Sequence, residues 1–204
     1  MITLVDYGVG NLAAVVNMLR HIGVPCRRTG DPAVIDQAER VILPGVGHFD
    51  HCYRQLVAQG LRDVLDDLAT VRKVPLLGIC VGSQLLGHGS EEGESPGLGW
   101  LDLDVVRLPA NQGRRIPRMG WGEVISTRPN PLIDDPRPRP PRFYFAHSYF
   151  MRPRDETLTV GLTSYGVDYA ASVQRDNILG VQFHPEKSHH YGMDVLRRFA
   201  EWTP

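Results

Sequence analysis

The sequence predicts an α/β fold, a mostly parallel sheet flanked by helices, with additional antiparallel strands in the C-terminal half. Two features point there. Up to Gly89, short apolar runs alternate with segments whose apolar residues recur at helical spacing. That β-α-β-α order builds a parallel sheet covered on both faces. Beyond Gly89, apolar and polar residues alternate in short runs separated by glycine and proline, as in antiparallel strands with one solvated face. A chain of 204 residues, 42% hydrophobic and 22% charged, suits one domain with a substantial core, and residues 1–204 are expected to form it.

Ile2–Val5 is the first expected strand, and Leu12, Val15, Val16, Leu19 and Ile22 mark a helix that Gly23 stops. Gly8 and Gly10 between them suggest a phosphate loop, but Ala13 stands where a dinucleotide fingerprint needs its third glycine. Cys26-Arg27-Arg28 reads as the second strand, and Asp31-Pro32 opens a short helix. Val41-Ile42-Leu43 reads as the third strand, ending in Pro44-Gly45-Val46-Gly47. Backbone N–H groups of such a turn can approach a ligand at the sheet's carboxyl edge. Leu56, Val57, Leu61, Val64, Leu65 and Leu68 describe the next helix, with a break at Gly60.

Residues 74–77 then lead as a short buried strand into Gly78-Ile79-Cys80-Val81-Gly82-Ser83-Gln84. An acidic, glycine-rich loop follows over residues 90–99. Strands are expected at 101–108, 121–125, 143–150, 158–162, 169–174 and 178–181, and Met193, Leu196, Phe199 and Ala200 mark a closing helix. Pro129, Pro131, Pro136, Pro138, Pro140 and Pro141 make residues 128–142 one extended surface loop, because proline excludes a helix interior or a central strand.

A formal net charge of −1 gives no electrostatic case for nucleic acid or an anionic membrane. No window has the apolar length of a membrane span, and the N-terminus reads as a strand rather than a signal peptide. Cys26, Cys52 and Cys80 are too few and too scattered for a disulfide framework. A reduced, cytoplasmic setting is expected. His48, His51 and Cys52, and the pair His189-His190, lie close in sequence without completing a zinc ligand set; no metal and no organic cofactor is expected.

Gly-x-Cys-x-Gly between strand and helix is the cysteine form of a nucleophile elbow. The glycines let the chain turn with little bulk in the way, and a helix N-terminus favours thiolate. Such a nucleophile needs a base and a group that orients the base. His184 closes the strand Gly180-Val181-Gln182-Phe183, so it would share the carboxyl edge with Cys80. Pro185 shapes the turn, and Glu186 is placed to hold the imidazole. Cys80, His184 and Glu186 are the candidate catalytic residues. Gln84, one helical turn beyond Cys80, can face the same pocket.

With these blocks, and with His147-Ser148-Tyr149, the sequence resembles the class I (triad-type) glutamine amidotransferases, whose fold is flavodoxin-like. Three stretches resemble the branch of that family that serves imidazole glycerol phosphate synthase in histidine biosynthesis. They are Asp6-Tyr7-Gly8-Val9-Gly10-Asn11-Leu12, Ile116-Pro117-Arg118-Met119-Gly120-Trp121 and Phe143-Tyr144-Phe145-Ala146-His147-Ser148-Tyr149.

The resemblance implies that Cys80 attacks L-glutamine to give a thioester, with His184 as acid and base and Glu186 orienting it. Oxyanion donors would be the N–H groups of Val81 and of Val46 or Gly47. Gly47, Gln84, Glu92, His147, Ser148 and Tyr149 would contact the substrate. Ammonia would pass to a (β/α)₈-barrel cyclase subunit in a heterodimer, with Asn11, Tyr144 and Lys187 as interface candidates. Ser83 and residues 128–142 depart from the family pattern, and Ser83 is expected to alter the shape of the glutamine pocket.

Three rival readings compete with this one. The glutaminase of another synthase, for anthranilate or pyridoxal phosphate, is opposed by the Asp6 to Asn11 opening and by Met119-Gly120-Trp121. A cysteine peptidase-like or stress-type protein leaves Gln84 and His147-Ser148-Tyr149 unexplained. A non-catalytic thiol sensor needs neither His184 nor Glu186.

Overall fold

The structure, a computed structural model, describes residues 1–110, 113–134 and 139–204. In chain order the first strands are β1 (Ile2–Val5), β2 (Cys26–Thr29), β3 (Val41–Gly45) and β4 (Leu76–Cys80). There follow β5 (Leu103–Arg107), β6 (Arg118–Glu123), β7 (Ile125–Ser126) and β8 (Arg142–His147), then β9 (Tyr149–Pro153), β10 (Thr159–Ser164), β11 (Asp168–Arg175) and β12 (Ile178–Val181). The helices are α1 (Leu12–His21), α2 (Pro32–Ile35), α3 (Phe49–Ala58), α4 (Arg62–Asp66), α5 (Val81–Gln84) and α6 (His189–Glu201).

One sheet runs β2-β1-β3-β4-β12-β11-β10-β7. From β2 to β12 its neighbours are parallel, and the last three strands add on antiparallel. With β12 counted as fifth, the parallel part has the 2-1-3-4-5 order of flavodoxin-like sheets, which places a ligand crevice at the carboxyl edge. The apolar runs explain the centre: every residue of β1, β3, β4 and β12 is buried. The edge strand β2 turns Arg27 and Arg28 to solvent, and such charges discourage pairing with another chain. A leucine as fully buried as Leu43, Leu77 or Leu179 contributes about 1.5–3 kcal/mol relative to exposure.

Between β4 and β12 the chain builds two small antiparallel pairs, β5 with β9 and β6 with β8. The expected strand over residues 143–150 is in fact two strands, which leave Ser148 between them and join different partners. Periodicity reports burial and not partner, so it could not show the break. The third helix, α3, also differs. It begins at Phe49, seven residues before Leu56, and Gly60 at φ +68° separates it from α4. Phe49, Cys52 and Leu56 are its buried stripe, a signal obscured by the polar residues between them.

The proline-rich stretch is anchored rather than wholly superficial. Asn130, Leu132 and Ile133 are buried. The Asn130 amide donates to Val160 O (3.0 Å) and Ser172 Oγ (2.9 Å), while its oxygen accepts from the N–H groups of Leu132 and Ile133. Pro136 and Pro138 lie outside the described residues.

Candidate active site

Cys80 is the last residue of β4 and precedes α5, at φ +54° and ψ −114°. A non-glycine residue there is strained, and such strain persists only where the surroundings enforce it. The elbow glycines provide the clearance the sequence led us to expect, while Cys80 itself takes the unusual dihedral. A Cβ on Gly82 would stand 2.0 Å from Leu43 O, and one on Gly45 would stand 2.4 Å from Gly82 N. The elbow therefore packs backbone to backbone against the end of β3. Ser83 lies beneath it, fully buried, its hydroxyl donating to Cys80 O at 2.6 Å and its atoms close to Gly78 and Gly180. It does not line the pocket, so its effect falls on packing under the elbow rather than on pocket shape.

His184 follows β12 at the same sheet edge, and Glu186 lies in the turn Pro185–Lys187. Glu186 Oε1 is 2.9 Å from His184 Nδ1, with the two side chains only 2% and 3% exposed. The His184 backbone is pinned as well: its N–H donates to Tyr144 O (2.9 Å), and its carbonyl accepts from Ser188 Oγ (2.6 Å). Burial pulls the His184 imidazole down, but the Cys80 sulfur and the Glu186 carboxylate outweigh it and push it up to about 10. The imidazole is thus built to carry a proton beside the Cys80 sulfur.

These groups line a cavity of about 160 Å³ with Val46, Gly47, Val81, Gln84, Glu92, Ala146, His147, Ser148, Tyr149 and Lys187. Every catalytic, oxyanion and substrate residue expected from the sequence borders this space except Glu186, which stands behind His184. Glu92 is tied down, its Oε2 accepting from Phe49 N at 2.8 Å at the start of α3. His147 has both ring nitrogens engaged, Nδ1 with Tyr149 O and Nε2 with Tyr169 OH, each at 2.9 Å. Burial first, and the Arg118 charge second, hold its imidazole down at about 3.

Two buried groups hold the Pro44–Gly47 turn. Tyr7 OH donates to Pro44 O, and Cys52 Sγ donates to Val46 O at 3.4 Å. Burial pushes the Cys52 thiol up to about 11, so it keeps the proton it donates. A trans peptide sets its N–H opposite its C=O, so the Gly47 N–H points away from Cys52 and out of the core.

Of the interface candidates, Tyr144 and Lys187 meet, with Lys187 Nζ 5.8 Å from the ring centre. Asn11 is exposed ahead of α1, which packs against the Pro185–Lys187 turn. His48 uses Nδ1 to cap its own helix, and Cys52 is turned into the core. Among the described residues no cluster of three metal-ligating side chains forms.

Sequence reasoning missed Gln182, Tyr169 and Arg118. Gln182 is fully buried and accepts from Gln84 Nε2 at 3.1 Å. A glutamine between Val181 and Phe183, directly after a buried strand, signals such a partner, because buried amides are hydrogen-bonded.

A cysteine elbow and a His–Glu pair on one edge of a flavodoxin-like sheet describe a class of enzyme, and comparison with known proteins agrees. The family model "Glutamine amidotransferase class-I" matches residues 3–202, and the chain belongs to that family. Within it the chain is similar to "Imidazole glycerol phosphate synthase subunit HisH 2" of Pseudomonas aeruginosa, 45% identical over 98% of this chain and 99% of that one. It is also similar to "Imidazole glycerol phosphate synthase subunit HisH" of Moorella thermoacetica, 47% identical over 98% and 94%. Among solved structures, "Crystal structure of glutamine amidotransferase" superimposes with a TM-score of 0.77 at 19% identity over 98% and 97% of the two chains. "Structure of PurLQS from Thermotoga maritima" gives 0.75 at 20%, over 98% and 97%. At such identities these two structures speak for the fold alone.

Proposed function

We propose that this chain is the glutaminase subunit of an imidazole glycerol phosphate synthase in histidine biosynthesis. It hydrolyses L-glutamine to glutamate and ammonia, and the ammonia is passed to a cyclase subunit that makes imidazole glycerol phosphate and aminoimidazole carboxamide ribonucleotide. The observation that carries the assignment is the buried line of Cys80, His184 and Glu186 in a chain alike end to end with HisH subunits.

In this mechanism Cys80 Sγ attacks the carboxamide carbon and His184 delivers a proton to the departing ammonia. Water, deprotonated by His184, then opens the thioester. Glu186 holds Nδ1 and stabilises the charged imidazole. The oxyanion is received by the N–H of Val81, free in the first turn of α5, and by that of Gly47 or Val46; the outward direction of the Gly47 N–H favours Gly47. Gln84, Glu92, His147, Ser148 and Tyr149 surround the substrate.

The partner is a (β/α)₈-barrel cyclase in a heterodimer, docked over Asn11, Tyr144 and Lys187. Residues 1–204 act as one glutaminase domain, supported by a main apolar cluster that reaches from Ile2 to Phe199 beside a small second one at Val106, Leu108, Phe150 and Tyr169. The setting is cytoplasmic, in keeping with free thiols at Cys26, Cys52 and Cys80; among the described residues no helix is long and apolar enough to cross a membrane.

Glutamate release from glutamine by wild type and Cys80→Ala, each alone and with the cyclase and its nucleotide substrate, tests this. Cysteine-dependent turnover that rises with the liganded partner is expected. Turnover indifferent to the partner would reassign the pathway, and no turnover under any condition would sink the assignment.

A further inference from the structure

Arg118 belongs to a motif that the mechanism above does not use. Its side chain is buried, and among the described residues no carboxylate pairs with it. A buried cation without a counter-ion is costly, so its surroundings must compensate. The guanidinium carbon lies 3.8 Å from the Phe145 ring centre, and the group donates to Thr163 Oγ1 (3.2 Å) and to the Tyr169 hydroxyl. Gly122 makes the space: a Cβ there would stand 1.8 Å from Arg118 Nη2.

An arginine can only donate. The Tyr169 oxygen therefore accepts from Arg118 and passes its own proton on to His147 Nε2, 2.9 Å away. At the far side of the ring the acceptor is a carbonyl, Tyr149 O, 2.9 Å from Nδ1. With a donor-only group behind Tyr169 and an acceptor-only group at Nδ1, His147 is left one state, neutral with its proton on Nδ1. An imidazolium would have to donate to the Tyr169 oxygen beside Arg118, and the phenol proton would then lose its His147 acceptor. The charges facing His147 are Arg118 from β6 and His184 beyond β12; both disfavour a second cation. Tyr169 keeps its proton, because burial pushes the phenol up more than Arg118 brings it down. The Tyr149 carbonyl also accepts from Gln84 Nε2 at 2.8 Å, so the ring and the pocket amide share one anchor.

We propose that Arg118 is a positioning residue for the pocket: through Tyr169 it holds His147 neutral in a single tautomer, so that proton uptake beside Cys80 falls to His184. This rests on the glutaminase assignment for its consequence but not for its structural content. A second imidazolium lining the pocket would compete with His184 for the thiolate and repel the ammonium of the substrate.

The test uses the full chain with its cyclase, and the variants Arg118→Met, Arg118→Gln and Arg118→Lys. Nitrogen NMR of labelled His147 should show a bare Nε2 and a protonated Nδ1 in wild type from alkaline pH to well below the ordinary histidine value of about 6.5. In Arg118→Met, His147 should titrate nearer that value. The ratio of kcat/KM at about pH 6 to that at about pH 8 should then fall roughly tenfold against wild type, while Arg118→Lys, still a donor-only cation, restores it. Should Arg118→Met not fold, Arg118→Gln removes the charge with a shorter, polar side chain, and it should show the same rise. A His147 that stays neutral in both charge-free variants, or titrates normally in wild type, overturns the proposal. Absence of glutamine turnover in wild type would fail the assignment and leave the NMR result to decide this one.

Discussion

Glu186 sets one carboxylate oxygen on His184 Nδ1 and leaves the other, buried, without a hydrogen-bond partner among the described residues. A bare buried carboxylate oxygen is tolerable only against a nearby positive charge, so the pair favours imidazolium. Glu186→Gln should therefore lower kcat by on the order of 10²–10⁴ with little change in KM; steady-state kinetics that show an unchanged kcat would remove Glu186 from the mechanism. His147 makes a separate prediction about stability. Its folded value, about 3, lies below the unfolded value of 6.5. The neutral ring is favoured on folding, so its contribution is fully present above pH 6.5 and is lost as pH falls from there towards about 3. Urea unfolding across that window should show a shallower acid loss in His147→Phe than in wild type, and equal slopes would contradict the burial argument.

At the scale of elements, the site depends on two backbones touching, the end of β3 and the elbow before α5. Because a Cβ on Gly82 would fall 2.0 Å from Leu43 O, Gly82→Ala must push the elbow off the sheet. A loss of roughly 1–3 kcal/mol is expected from such overpacking, read by thermal unfolding together with lost turnover. Unaltered stability would mean that the two segments have more room than this packing shows. The Gly-x-Cys-x-Gly spacing was legible in the sequence, but its reason was not, since the neighbour that demands glycine lies thirty-nine residues away at Leu43. The strands around Ser148 were likewise half legible. Their apolar character shows in the sequence, whereas the choice of β6 for one and β5 for the other is made by long-range pairing.

At the scale of the molecule, the β6–β8 pair turns an unusual face outward. Met119 and Trp121 are 66% and 41% exposed, beside Tyr144, and the pair ends at His147 in the pocket wall. Tyr144 also accepts the backbone N–H of His184, so β8 ties this face directly to the candidate base. If the cyclase docks here, Trp121→Ala should weaken the complex by about 1–3 kcal/mol, measured by calorimetry, while the isolated subunit keeps its thermal stability. Unchanged affinity would move the interface elsewhere.

What the sequence determined by itself was the local chemistry: a strand ending in a cysteine elbow, a strand ending in His-Pro-Glu, and a glycine turn to face them. Those are short-range patterns, and each element carries its own. Only the tertiary structure decided that β12 pairs with β4 although about a hundred residues separate them, which brings His184 to Cys80. It alone showed Arg118 buried with Met119 and Trp121 turned outward, the reverse of what hydrophobicity suggests. The physical reason is that hydrogen-bond partners such as Tyr169 and His147 come from distant strands, and no local periodicity records which buried polar group will be satisfied by which.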